Sequence, residues 1–212
     1  MERRSVRRRA RTATLAILAA LALFAAACAP SGKATGAPSP TDPAGTIPTM
    51  TGVTLSAPWA NASAGARPPE MPRDCGAVTV QGGKDHSPAL SWAGTPPAGT
   101  KSYALAMVDT TPPGSGFVHW LVLDIPLSAS SIPTAASGTV NMPRPSAELR
   151  NETGRYGYAG PAPPAGPHTY LFVLYAMGAE RSGLGRSAGI DRFFETVRTA
   201  LGTKTLAATY TR

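Results

Sequence analysis

Ser102-Tyr103-Ala104-Leu105-Ala106-Met107-Val108-Asp109-Thr110-Thr111-Pro112-Pro113-Gly114-Ser115-Gly116-Phe117-Val118-His119-Trp120-Leu121-Val122-Leu123-Asp124-Ile125 decides the fold. Two runs, 102–108 and 118–125, are almost entirely apolar, β-branched or aromatic, and a Pro/Gly-rich loop separates them. Short apolar runs bounded by Gly and Pro read as fully buried strands. A third run, 169–177, follows a second Pro/Gly-rich loop over 158–167. Shorter strands are expected at 78–81, 90–92, 138–142 and 205–210. One helix is expected over 190–202, because Ile190, Phe193, Phe194, Val197 and Leu201 recur at helical spacing and Gly202 offers a stop. The pattern predicts a mainly β fold, a β-sandwich with few short helices. The 22 Gly and 22 Pro among 212 residues argue against a mostly helical chain, and 42% apolar content argues against global disorder.

The formal charge of +8 points at first to nucleic acid or an anionic surface. Six of the 20 basic residues, however, lie within the first eleven positions, ahead of an uncharged Leu/Ala-rich run over 12–27. A basic segment, a short apolar segment and small residues before a break form a secretory signal. Ala25-Ala26-Ala27-Cys28 resembles a bacterial lipoprotein signal, with Ala25 where Leu, Val or Ile is usual, so Cys28 is expected to carry lipid. The chain is then exported and anchored to the outer face of the bacterial cytoplasmic membrane. Beyond the signal, 14 basic and 11 acidic residues leave only +3, with no aromatic-interleaved basic stripe for nucleic acid. With Cys28 lipidated, Cys75 has no partner and reads as a small buried residue. Residues 28–52 are rich in Pro, Gly, Ser, Thr and Ala and read as a flexible tether spanning roughly 25 Å. The domain is expected over 53–212.

Chemistry concentrates in the two loops. If the runs flanking the first loop pair antiparallel, Asp109 and His119 face each other across the rim of the sheet. The second loop delivers His168 and Tyr170 into the next strand, its prolines form a rigid wall, and Gly160 and Gly166 allow backbone to approach a ligand closely. Two imidazoles, a carboxylate and a phenol in such a pocket suit an anion, with Asp109 able to hold one histidine protonated. His86, in Asp85-His86-Ser87-Pro88, has no comparable placement and reads as structural. Two histidines and a carboxylate also form a metal donor set, but no tight His spacing supports one. No metal and no cofactor are expected.

Seven short stretches resemble, in order, the phosphatidylethanolamine-binding protein family, and most closely its bacterial Raf-kinase-inhibitor-like branch. They are Ser87-Pro88-Ala89-Leu90-Ser91-Trp92, Thr100-Lys101-Ser102-Tyr103-Ala104-Leu105, 109–113, His119-Trp120, Asn151 with Gly154, 158–164 and His168-Thr169-Tyr170. The resemblance covers roughly residues 70–212. It implies a Greek-key β-sandwich with an anion pocket at one end that accepts phosphate-like groups and phospholipid headgroups. By motif position, Asp109, His119, His168 and Tyr170 are the pocket residues, and Pro113, Phe117, Ala162 and Pro163 line its mouth or wall. Thr111 and Pro112 depart from the family's Asp-Pro-Asp-Ala-Pro loop, and Thr169 stands where Arg is common. The loss of the second Asp puts loop geometry and ligand preference in question.

The expected function is therefore a lipid-anchored binding module for a phosphate-bearing molecule or headgroup, with no catalytic residue. A protease-inhibitor-like or other protein-interaction module is the alternative, although no reactive-site loop or protein partner is legible. A serine hydrolase is a further alternative, because Gly185-Arg186-Ser187-Ala188-Gly189 matches G-x-S-x-G. The motif follows no strand and every histidine precedes Ser187, against the usual order of such hydrolases.

Overall fold

The computed structural model describes residues 47–62, 68–112 and 116–212. Cys28, the signal segment and most of the tether lie outside them, as does Pro113. The strands are β1 (Val53–Ser56), β2 (Leu90–Gly94), β3 (Ser102–Asp109), β4 (Phe117–Pro126), β5 (Ser131–Ile132), β6 (Ala147–Glu148), β7 (Pro167–Met177) and β8 (Gly202–Thr211), with one α-helix, α1 (Ile190–Val197). They form a three-stranded sheet in the order β1-β2-β5 and a five-stranded sheet in the order β6-β4-β3-β7-β8, antiparallel throughout. The neighbours β7-β3-β4-β6 make a Greek-key arrangement, since β7 returns to the free side of β3.

Every residue of β3 is buried because the large sheet is covered on both faces. Tyr103, Leu105 and Met107 join Trp120, Phe172 and Leu174 in a core shared with Leu55, Leu90 and Trp92 of the small sheet. Ala104, Ala106 and Val108 point the other way, into a second core with Phe193, Phe194 and Val197 of α1. The alternation of large and small residues along β3 thus separates a sheet-facing side from a helix-facing side, where alanines allow close approach.

Several expected elements differ. Residues 78–81 are successive turns, with the Val80 N–H on Ala77 and the Gly83 N–H on Val80, and 138–142 is likewise a run of turns. The helix stops at Val197 because the chain must join β7, where the Leu201 N–H bonds the Ala176 carbonyl; Gly202 begins β8 instead of capping the helix. The domain also begins before residue 53. Ile47 and Met50 are buried, and the backbones of Met50 and Pro48 bond Thr203, so 47–52 belong to the fold and not to a tether. Cys75 is buried and unpaired, and burial, followed by the charge of Asp74, pushes its thiol up to about 12.

The helix-side core makes a measurable demand on stability. Phe193→Ala is expected to cost about 3–5 kcal/mol in denaturant unfolding, because it empties a fully buried site that nothing nearby can fill.

Candidate functional site

β3 ends in Asp109, which the register sets opposite Phe117 on β4 and Tyr170 on β7. On β7, His168 and Tyr170 share a face, two residues apart. β4 reaches the same place by an irregularity. Val118 pairs with Val108 and Trp120 with Met107, so His119 is an extra residue between them. A bulge of this kind re-aims a side chain. Here it sets the imidazole 5.0 Å from the Phe117 ring and 5.3 Å from the Tyr170 ring.

These groups line a cavity of about 360 Å³, to which Ala162 and Pro163 contribute the opposite wall. Of the expected site residues, Asp109, Phe117, His119, Ala162, Pro163, His168 and Tyr170 meet here, and Pro113 and Cys28 lie outside the described residues. The sequence leaves open which imidazole Asp109 holds, and the structure gives it His168. Asp109 Oδ2 accepts a hydrogen bond from His168 Nδ1 at 2.6 Å, and Oδ1 accepts the Thr111 N–H at 2.9 Å. His119 does not bond Asp109; its Nδ1 donates to the Ala159 carbonyl at 2.7 Å. Pairing Asp109 with the β7 histidine leaves His119 to the second loop.

The hydrogen bonds determine what each ring offers a ligand. Both imidazoles use Nδ1 on protein acceptors, and neither Nε2 has a partner among the described residues. Burial pulls His119 below its ordinary value, against the opposing effects of the Ala159 bond and the Asp109 charge, so the neutral ring presents Nε2 as an acceptor. The Tyr170 hydroxyl is fully buried beside Asp109. Burial first, and then the charge of Asp109 and the hydrogen bond to it, push this phenol far above its ordinary value, so it keeps its proton.

Residues distant in sequence complete the site. Arg155 lines the cavity and pairs with Asp85 Oδ2 at 3.2 Å, while Asp85 Oδ1 accepts the Gly160 N–H at 2.8 Å. Asp85 holds φ +54°, a conformation that Asp tolerates better than most side chains. Of Asp85-His86 it is the aspartate that reaches the cavity wall, through Gly160 and Arg155, whereas His86 pairs at the surface with Asp74 at 3.5 Å. Gly160 does approach another group closely, but that group is protein backbone: an added Cβ would lie 2.4 Å from Ala77 N and 2.6 Å from Cys75 O. Gly166 meets nothing; its φ of +66° serves a turn. Thr111 keeps a bracing role, since its hydroxyl accepts the Thr169 N–H at 2.7 Å.

Glu152 and Glu148 fasten β4 from behind. Glu152 accepts the Val118 N–H, and buried Glu148 accepts the Trp120 indole, the Ser137 hydroxyl and the Gly138 N–H. Among the described residues, no group of three His, Cys, Asp or Glu side chains is placed to hold a metal ion. The Gly185–Gly189 motif forms a turn before α1, and Ser187 makes no hydrogen bond to a histidine among the described residues.

A family model described as phosphatidylethanolamine-binding protein matches residues 61–211. YbhB of Escherichia coli K12 is 38% identical over 109 residues, covering 50% of this chain and 68% of YbhB. YbcL of the same organism is 39% identical over 105 residues, which span 56% of its own length and 47% of this chain. LppC of Mycobacterium tuberculosis, whose name marks it as a lipoprotein candidate, is 38% identical over 97 residues, 45% of each chain. The crystal structure of YbcL, described as a new member of the mammalian PEBP family, superposes with a TM-score of 0.67 over 76% of this chain and 98% of that one, at 24% identity. The family model's extent, the match to YbhB and the shared fold lead to one conclusion: this chain belongs to the phosphatidylethanolamine-binding protein family.

Proposed function

We propose that this protein is a lipid-anchored binding protein of the bacterial cell envelope whose cavity holds a phosphate-bearing small molecule or a phospholipid headgroup. The observation that carries the reading is the pair of imidazoles, His119 and His168, which line the cavity with Nε2 atoms unpartnered among the described residues, beside Arg155. Ring nitrogens left free on a cavity wall can hydrogen-bond a ligand's oxygen atoms. The cavity volume falls in the range of small-molecule sites, and Arg155 at its edge supplies a cation for a phosphate. No chemical step is assigned to the site; its role is to bind. Envelope placement is supported by the Arg-rich start, the apolar run over 12–27 and Cys28, and by the similarity to LppC.

Three measurements test this reading. Titration with phosphate and phosphoethanolamine should show saturable binding that the His119→Ala, His168→Ala double variant loses; undiminished binding in that variant would refute the pocket. The second is the pH dependence. Neutral His119 accepts a proton-bearing ligand oxygen, and a phosphomonoester loses that proton above about pH 6. The complex therefore holds a proton that the free components release, so affinity should fall as pH rises, by up to about tenfold per unit. His119→Ala should flatten this slope, and a wild-type affinity that rises with pH would contradict the assignment. Thirdly, cells fed labelled palmitate should label the protein but not its Cys28→Ala variant; equal labelling of both would remove the anchor.

A further inference from the structure

Outside the pocket, arginines crowd one face. Arg150 and Arg186 both lie over the ring of Tyr156, with guanidinium carbons 4.4 Å and 4.8 Å from its centroid. Arg186 and Arg144 also line a separate cavity of about 440 Å³ beside β6, formed with Thr139, Met142, Ser146 and Glu148. No salt bridge reaches Arg144, Arg150 or Arg186 among the described residues. The nearby carboxylates are occupied: Glu148 by the indole of Trp120, the Ser137 hydroxyl and the Gly138 N–H, and Glu152 by the Val118 N–H. Like charges gathered around one ring, without acidic partners, favour an anion from outside.

The apolar groups on this face select the kind of anion. Tyr156 is 39% exposed, and Val140 is 75% exposed on the turn that supplies Thr139 and Met142 to the cavity. A soluble polyanion gains nothing from an exposed valine. An aromatic ring between guanidiniums, with an exposed aliphatic residue on the adjoining turn, matches the interfacial region of a bilayer, where ring and aliphatic tip enter the headgroup layer and arginines meet lipid phosphates.

We infer that the Arg144, Arg150, Arg186, Tyr156 and Val140 face docks the domain on an anionic phospholipid surface. Arg155, which lines the first cavity, belongs to the same short loop as Tyr156. The inference rests on the proposed function only in that an anchored chain always has a bilayer within reach.

Both sheets and both cores lie within residues 47–212, and YbcL, matched over 98% of its length, is a folded protein of similar extent. Residues 47–212 can therefore be mixed with vesicles free of any lipid anchor. Co-sedimentation with phosphatidylglycerol-containing vesicles should be strong, should weaken with salt, and should be absent with pure phosphatidylcholine. Arg150→Gln with Arg186→Gln should lower vesicle affinity about thirtyfold. The double Lys variant should retain most of it, and Val140→Asp, a change at an exposed tip that leaves the fold intact, should lower it several-fold. Equal binding to neutral vesicles, undiminished binding in the Gln or Asp variants, or binding to soluble polyphosphate but not to vesicles would each overturn the docking surface. Vesicle binding that persists in the His119→Ala, His168→Ala variant would support it, whatever phosphoethanolamine titration says of the pocket.

Discussion

Burial of β3 on both faces is the constraint on which the rest of the molecule depends. A strand covered by a second sheet on one side and by α1 on the other can carry no charge along its length, and its first charged residue, Asp109, falls at its last position. The polar chemistry is therefore pushed to the end of the large sheet, where β3, β4 and β7 terminate together. The second, Pro-rich loop cannot continue the strands and walls the cavity at that end.

At the rim, the hydrogen-bond economy of a few buried groups shapes what the cavity can hold. Asp109 is satisfied twice, by His168 and by the Thr111 backbone, so it orients a ring instead of confronting a ligand as a free carboxylate. His119 is steered by the bulge and fixed by the Ala159 carbonyl, which settles its tautomer. Among the described residues, two ring nitrogens remain unpartnered on the cavity wall, free to meet the oxygen atoms of a ligand. Asp85 connects the wall to the rim by bonding Gly160 and Arg155 at once.

The same short loop that places Arg155 at the cavity continues to Tyr156 and the arginines around it. Binding chemistry and surface charge are thus mechanically adjacent although they use different residues. The small excess of basic residues beyond the signal gains meaning from this placement, since among the described residues Arg144, Arg150 and Arg186 form no salt bridge, whereas Arg155, Arg181 and Arg192 do.

Much was legible in the sequence because it depends on local constraints. Unbroken apolar runs reported strands buried on both sides, Pro/Gly clusters reported the loops that end them, and residues at loop–strand junctions proved to line one cavity. Strands expected at 78–81 and 138–142 were lost because β-branched residues there serve turns, where alternation carries no information about backbone pairing. Only the tertiary structure decided that Asp109 pairs with His168 and not with His119, because a one-residue bulge has no signature in composition and shifts a side chain without changing the pattern around it. It likewise recruited Asp85 and Arg155 and drew 47–52 into the fold, since those contacts join segments far apart in the chain. Local sequence sets which backbone each segment prefers; which side chains meet is set by packing the whole sheet at once.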